Sequence, residues 1–62
     1  MNAALSQRAG RAMLAFTTLG LSPDDHDRFV SAVAAAEDYA ALPAWAKDLL
    51  ARAEREVERL RG

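Results

Sequence analysis

The sequence has no cysteine, one histidine and one tryptophan, and only 3 glycines and 2 prolines among its 62 residues. The lack of cysteine excludes disulfides, thiolate metal sites and thiol nucleophiles. The scarcity of glycine and proline, together with a net charge of −1, argues against a disordered chain. No apolar run approaches the roughly 20 residues of a membrane-spanning helix, and the run near Met13 is too short for a signal peptide. We therefore expect a cytoplasmic protein without a membrane segment.

The hydrophobic half of the chain is rich in alanine. Hydrophobic residues make up 52% of the sequence, but 15 of these 32 positions are alanine, which buries little surface. A chain of about 60 residues buries only about 60% of the surface that it exposes when unfolded. We therefore expect one small domain over residues 1–62, marginally stable unless a partner adds buried surface. The abundance of alanine and arginine is also typical of GC-rich coding sequence and indicates a bacterial or phage origin.

Apolar residues at spacings of three and four predict a first helix over about residues 3–19. These residues are Leu5, Ala9, Ala12, Met13, Phe16 and Leu19. Gly20 follows them, and glycine ends helices readily because it adopts the left-handed conformation without a Cβ clash. Ser22 can then cap a second helix, and Pro23 fits its first turn. We expect a sharp turn between these two helices.

The boundary between the second and third helices has two interpretations. The second helix is predicted over about residues 23–40 and the third over about 44–61, which makes the three helices similar in length, about 24–27 Å each. The expected buried positions are Phe29, Val30, Val33, Ala36 or Glu37, and Ala40 in the second helix and Ala46, Leu50, Ala53, Val57 and Leu60 in the third. Pro43 disfavours helical geometry at Leu42, so a turn is favoured and the fold is an all-α, small three-helix bundle. The alternative is a nearly continuous helix from residue 23 to 61, kinked at Pro43, because the junction has no glycine.

The residue pattern gives little support to catalysis or metal binding. His26 lies in a run of aspartates, but helical ligands share a face only at spacings of three or four. At those spacings His26 meets Ser22, Phe29 and Val30, and a helix N-terminus attracts acidic residues through its dipole in any case. The sequence has no glycine-rich phosphate loop and no evident nucleophile–base pair. We therefore expect no enzyme activity, no metal or other cofactor, and no small-molecule substrate.

DNA binding is the alternative function for so small a helical domain. Arg52, Arg55 and Arg59 are spaced to share one face of the third helix. However, residues 43–62 hold five basic and four acidic residues, whereas a recognition helix needs uncompensated basic and amide side chains. We therefore do not expect nucleic acid as the partner, and a helix-turn-helix-like DNA-binding regulator remains the second hypothesis.

Protein interaction is the function that the pattern favours, through two surfaces. Aromatic residues are frequent interface anchors, and the second junction gathers Tyr39, Leu42, Trp45 and Leu49. The start of the second helix would form an acidic patch from Asp24, Asp25 and Asp27. Because alanine-rich helices bury little surface, a second copy of the chain would supply the missing burial. The sequence thus predicts a small helical interaction module, an adaptor, regulator or inhibitor of a larger protein, that forms a homodimer.

Overall fold

In a computed structural model, which describes residues 3–62, the first predicted helix forms as three consecutive pieces. Helix α1 spans Ala3–Ala12, a 3-10 turn spans Met13–Ala15, and helix α2 spans Phe16–Leu19. The backbone stays in the right-handed helical region across the junction of Ala15 and Phe16. The predicted helix over residues 3–19 is therefore confirmed, with tighter winding near its middle.

The turn at Gly20 forms as the sequence predicts. Gly20 has a φ of +75°, in the left-handed region that favours glycine. Its N–H donates to the carbonyl of Thr17 at 3.1 Å, and the N–H of Leu21 donates to the carbonyl of Phe16 at 3.2 Å. These two hydrogen bonds make a Schellman motif, which satisfies carbonyls at the helix end and lets Leu21 pack against the core.

Helix α3 spans Pro23–Ala35 and therefore ends five residues before the predicted boundary. Its start is as expected, since the Ser22 hydroxyl accepts a hydrogen bond from the Asp25 N–H at 3.2 Å. Beyond its end, Ala36 is extended, and the Asp38 carboxylate accepts a hydrogen bond from a backbone N–H three residues ahead at 3.1 Å. An aspartate that binds nearby backbone amides competes with helix continuation. The predicted end at residue 40 is wrong for this reason.

The second junction is a turn. A short 3-10 turn spans Tyr39–Ala41, Leu42 is extended, and helix α4 spans Ala44–Arg61. Pro43 stands immediately before α4, and its carbonyl accepts the first hydrogen bonds of that helix. Because the chain leaves helical geometry at both Ala36 and Leu42, the alternative of one helix kinked at Pro43 is wrong.

A single core joins all of these elements and confirms the all-α three-helix bundle. Helix α1 packs against both α3 and α4. The buried residues are Leu5, Ala9, Ala12, Ala15, Phe16, Phe29, Val33, Ala36, Leu42, Ala46, Leu49, Leu50 and Ala53. Six of these thirteen are alanine, so the helices approach closely while each contact buries little surface. No polar or charged side chain is buried among residues 3–62.

Three positions that the pattern predicts to be buried lie at the surface. Helix α4 has 18 residues against 13 in α3, a difference of about 7.5 Å, so the predicted equality of lengths is wrong. Leu60, in the last turn of α4, is 58% exposed, although Leu50 is fully buried. Val30 is 41% exposed because α3 turns its Phe29–Val33 side to the core, and Ala40 is exposed in the turn that follows α3.

Candidate functional site

The four residues predicted to form an aromatic and apolar cluster at the second junction do not form one surface, although Trp45 and Leu49 line a common groove. Leu42 and Leu49 belong to the core, whereas Tyr39 and Trp45 are partly exposed. Tyr39 lies beside Lys47, and Lys47 and Trp45 are two residues apart on α4, about 200° around the helix. The two aromatic rings therefore lie on opposite flanks of α4 and cannot anchor one common surface.

Tyr39 is engaged by charged neighbours within the fold. The Arg8 guanidinium lies 4.6 Å and the Lys47 ammonium 5.6 Å from the centre of its ring, both within cation–π range. Arg8 also donates two hydrogen bonds to the Glu54 carboxylate, at 2.5 and 2.9 Å. The side-chain hydrogen bond to Glu54 raises the pKa of Arg8, because it favours the charged guanidinium. These contacts tie α1 to α4 across the Tyr39 ring.

The predicted acidic patch is present as an exposed group at the start of α3. Asp24, Asp25 and Asp27 are all exposed. Asp27 lies 3.9 Å from Nδ1 of His26, and the His26 ring packs edge-on against Phe16 with 5.5 Å between ring centres. Within residues 3–62, no three His, Asp or Glu side chains gather as a metal-binding group. The His26 ring thus covers part of Phe16, while the aspartates lie at the positive end of the helix dipole.

An apolar groove between α1 and α3, which we call the α1–α3 groove, was not predicted from the sequence. Its volume is about 230 Å³, and its lining residues are Ser6, Ala9, Gly10, Met13, Val30, Val33 and Ala34. None of these described lining residues is charged. Leu14, which is 77% exposed, follows Gly10 by four residues and so lies one turn further along the same face. The groove is therefore a concave apolar surface beside a protruding leucine.

Gly10 and Leu14 are the sequence signals for this groove. A glycine in the middle of a helix costs about 1 kcal/mol relative to alanine, so its presence needs a reason. A Cβ added at Gly10 would meet nothing within 4 Å, which shows that the fold itself does not require glycine there. Leu14 lies outside the stripe that predicts the core face of the first helix. The packing of residues 3–62 therefore accounts for neither the glycine at position 10 nor the exposed leucine at position 14.

A second groove surrounds Trp45, and we call it the Trp45 groove. Its volume is about 250 Å³, and it is lined by Leu21, Asp25, Arg28, Trp45, Leu49 and Arg52. The Arg28 guanidinium carbon lies 5.4 Å from the centre of the Trp45 ring. The groove therefore combines an aromatic wall and two leucines with charged groups at its edge. Three residues predicted to bind a partner, Trp45, Leu49 and Asp25, meet here.

Several arginines of the bundle surface are paired with glutamates. Arg59 bonds to Glu56, its Nε lying 2.7 Å from the carboxylate, and Arg61 lies 3.6 Å from Glu58. Both pairs are three residues apart on α4, and all of these side chains except Glu56 are exposed to solvent. Such pairing is typical of a solvated, salt-bridged helix face and reduces the positive charge available to a phosphate backbone.

No protein-family model, curated protein sequence or solved structure matches this chain. Among residues 3–62, none of the helices combines the length and the apolar character that crossing a bilayer requires.

Proposed function

We propose that this protein is a small helical protein-interaction module, an adaptor, regulator or inhibitor without catalytic activity, that pairs with a second copy of itself. The observation that carries the proposal is the uncharged α1–α3 groove with Leu14 exposed beside it. Contiguous apolar surface of this kind is typical of protein contact sites, whereas isolated exposed apolar residues are ordinary. Arg59 and Arg61 of α4 are paired with glutamates, and the four acidic residues of residues 43–62 nearly balance the five basic ones, whereas the DNA-binding alternative needs uncompensated basic residues.

A second copy is the occupant that we propose for this face. In an antiparallel pair of α1 segments whose twofold axis crosses the exposed face midway between Gly10 and Leu14, Leu14 of each copy would lie over Gly10 of the other. Gly10 has no Cβ and open space above it, so it can receive the leucine. Burying one leucine side chain contributes about 1.5–3 kcal/mol, and twofold symmetry buries two. The pairing therefore adds the apolar burial that an alanine-rich core lacks.

The proposal is tested by adding a positive charge to the groove without disturbing the core. Gly10→Lys places a long side chain where the monomer has space, and lysine favours helix over glycine, so the fold should be kept or slightly stabilised. Association should be lost, because the charge would have to be desolvated at the contact. Sedimentation equilibrium at micromolar concentration measures this as a change from a dimer of about 13 kDa, twice 6.7 kDa, to a monomer.

Two neighbouring alanines on α3 provide a matched control. Ala34 lines the groove and Ala35 does not, although both are exposed. Ala34→Lys should therefore dissociate the dimer, whereas Ala35→Lys should leave it intact. A wild-type chain that stays monomeric at ~100 µM would overturn the proposal of self-association, since that concentration is well above the dissociation constant of a micromolar dimer.

A further inference from the structure

We infer that the Trp45 groove binds a short segment of a partner protein in which an acidic residue adjoins an apolar one. Such a segment would belong to the protein that the proposed module contacts, so the inference rests on the proposed function. Its surface is nevertheless separate from the α1–α3 groove. Arg28 lines the Trp45 groove, and Val30 lines the α1–α3 groove. These two residues are two positions apart on α3, so their side chains project about 200° apart around the helix. The two grooves therefore lie on opposite flanks of α3.

The apolar part of the Trp45 groove is suited to one large side chain. Leu21 and Leu49 lie at its base, and Trp45 keeps 41% of its surface exposed beside them. The volume of about 250 Å³ is slightly below the ~300 Å³ at which small-molecule sites begin. Partly exposed tryptophan beside leucine is a frequent anchor of protein contacts, because a partner can desolvate a large area there.

The charged part of the groove provides two guanidinium groups without a carboxylate partner. Among residues 3–62, neither Arg28 nor Arg52 has a carboxylate within salt-bridge distance, unlike Arg59 on the same bundle. Arg28 is already held over the Trp45 ring, so less side-chain freedom is lost when it binds a ligand. A guanidinium can bind a carboxylate through two parallel hydrogen bonds. An acidic side chain thus complements the groove, while an apolar neighbour fills its base.

The charge balance favours a peptide over a nucleic acid. Asp25 lines the same groove, so its two arginines and one aspartate give a local charge of only +1. The whole chain carries a net charge of −1, which provides no long-range attraction for a polyanion. Nucleic-acid affinity depends on neutralising several phosphates at once. A single carboxylate needs only one arginine, so a local charge of +1 is enough to attract it.

Fluorescence titration of Trp45, the only tryptophan of the chain, reports directly on this groove. The probes are two five-residue peptides with glutamates around a central leucine or phenylalanine, EELEE and EEFEE, added to the full chain at ~50 mM salt to limit screening. Saturable change of the Trp45 emission is expected with both. Arg28→Gln and Arg52→Gln should each weaken binding about fivefold, the loss of one exposed ion pair. Arg11→Gln, which makes the same change at an exposed arginine outside the groove, should leave the affinity unchanged.

Three results would overturn this inference, provided that circular dichroism shows the variants folded. The first is no saturable change with either peptide up to about 1 mM, the weak end of specific binding. The second is equal affinity for KKLKK, which reverses the charges of the probe. The third is tighter binding of an oligothymidine that depends on the same two arginines, which would assign the groove to nucleic acid instead.

The monomeric Gly10→Lys variant distinguishes this inference from the proposed function. Because Gly10 lies outside the Trp45 groove, peptide binding should persist in that variant. Peptide binding by a wild-type chain that never dimerises would reject the self-association and keep the inference. A wild-type dimer that binds neither glutamate peptide would support the self-association and reject the inference.

Discussion

Truncation of Leu50 is the sharpest test of the packing described above, because α4 carries a matched control. Leu50 is fully buried, whereas Leu60, the same residue type ten positions later on the same helix, is 58% exposed. The heptad-like spacing of α4 predicts equal burial for both leucines. Substituting each leucine by alanine therefore distinguishes the two: the structure predicts unequal losses of stability, whereas the spacing alone predicts equal losses.

The expected magnitude follows from the carbon atoms that leave the core. Leucine to alanine removes three carbons, each worth about 0.8 kcal/mol when buried, which gives about 2.4 kcal/mol before any cavity term. With that term, Leu50→Ala should lower the free energy of unfolding by about 2–5 kcal/mol. For Leu60 only about two fifths of the surface is buried, so Leu60→Ala should lower the free energy of unfolding by about 1 kcal/mol or less. Water fills the space that the side chain leaves, so no cavity term is added.

The assay is urea and thermal unfolding followed by circular dichroism at several protein concentrations. The total stability of a chain of this length is roughly 3–9 kcal/mol, so Leu50→Ala removes a large fraction of it. For a domain of this size each kcal/mol shifts Tm by about 4–8 °C, so Leu50→Ala should lower Tm by at least about 8 °C. Equal losses for Leu50→Ala and Leu60→Ala would refute the packing of α4, since the two leucines would then be equally buried in solution.

Two further changes test local features of the fold. Gly10→Ala should raise the free energy of unfolding of the monomer by about 0.5–1 kcal/mol, because the added Cβ has open space in a helix interior. Gly20→Ala should lower it by about 1–2 kcal/mol, because alanine disfavours a φ of +75°. Chemical denaturation of the chain diluted until it is monomeric measures both, and the same sign for both would contradict the turn geometry. A double-mutant cycle of Arg8→Ala and Glu54→Ala should give a coupling energy of about 0.2–1 kcal/mol that decreases with added salt, as expected for a half-exposed pair; zero coupling at low salt would show that this ion pair does not stabilise the contact of α1 with α4.

The first junction could be predicted from the sequence because its structure is determined locally. Gly20, Ser22 and Pro23 each have a conformational preference that requires no distant contact, and all three preferences favour the same turn. The second junction depends on tertiary contacts. Leu42 leaves helical geometry next to Pro43 and becomes 4% exposed in the core, and the Asp38 carboxylate caps the 3-10 turn before it. The second helix was predicted to reach residue 40 because alanine favours helix at any position, so the alanines of this segment do not mark where the helix ends.

The candidate surfaces could be predicted only in part, for a similar reason. Trp45 and Leu49 were expected to bind a partner, and both line one groove. Their proximity to Arg28 depends on the tertiary arrangement of α3 and α4, and the apolar periodicity of a single helix cannot predict that arrangement. The α1–α3 groove was missed because its chief feature, the space at Gly10, is an absence of side chain. Placement of partner-binding residues therefore remains a prediction that the experiments above address.

Exposure of large apolar residues has a different cause at each position, and this distinction is the basis of both proposals. Leu60 is exposed in the last turn of α4, and Tyr39 and Trp45 each lie against a cation of the same fold. Leu14 and Val30 belong to neither case. Val30 lines one groove, Leu14 adjoins it, and Trp45 lines another on the opposite flank of α3. Under the proposed function and the further inference, contact with other molecules would bury these side chains and add apolar burial that the fold alone leaves unused.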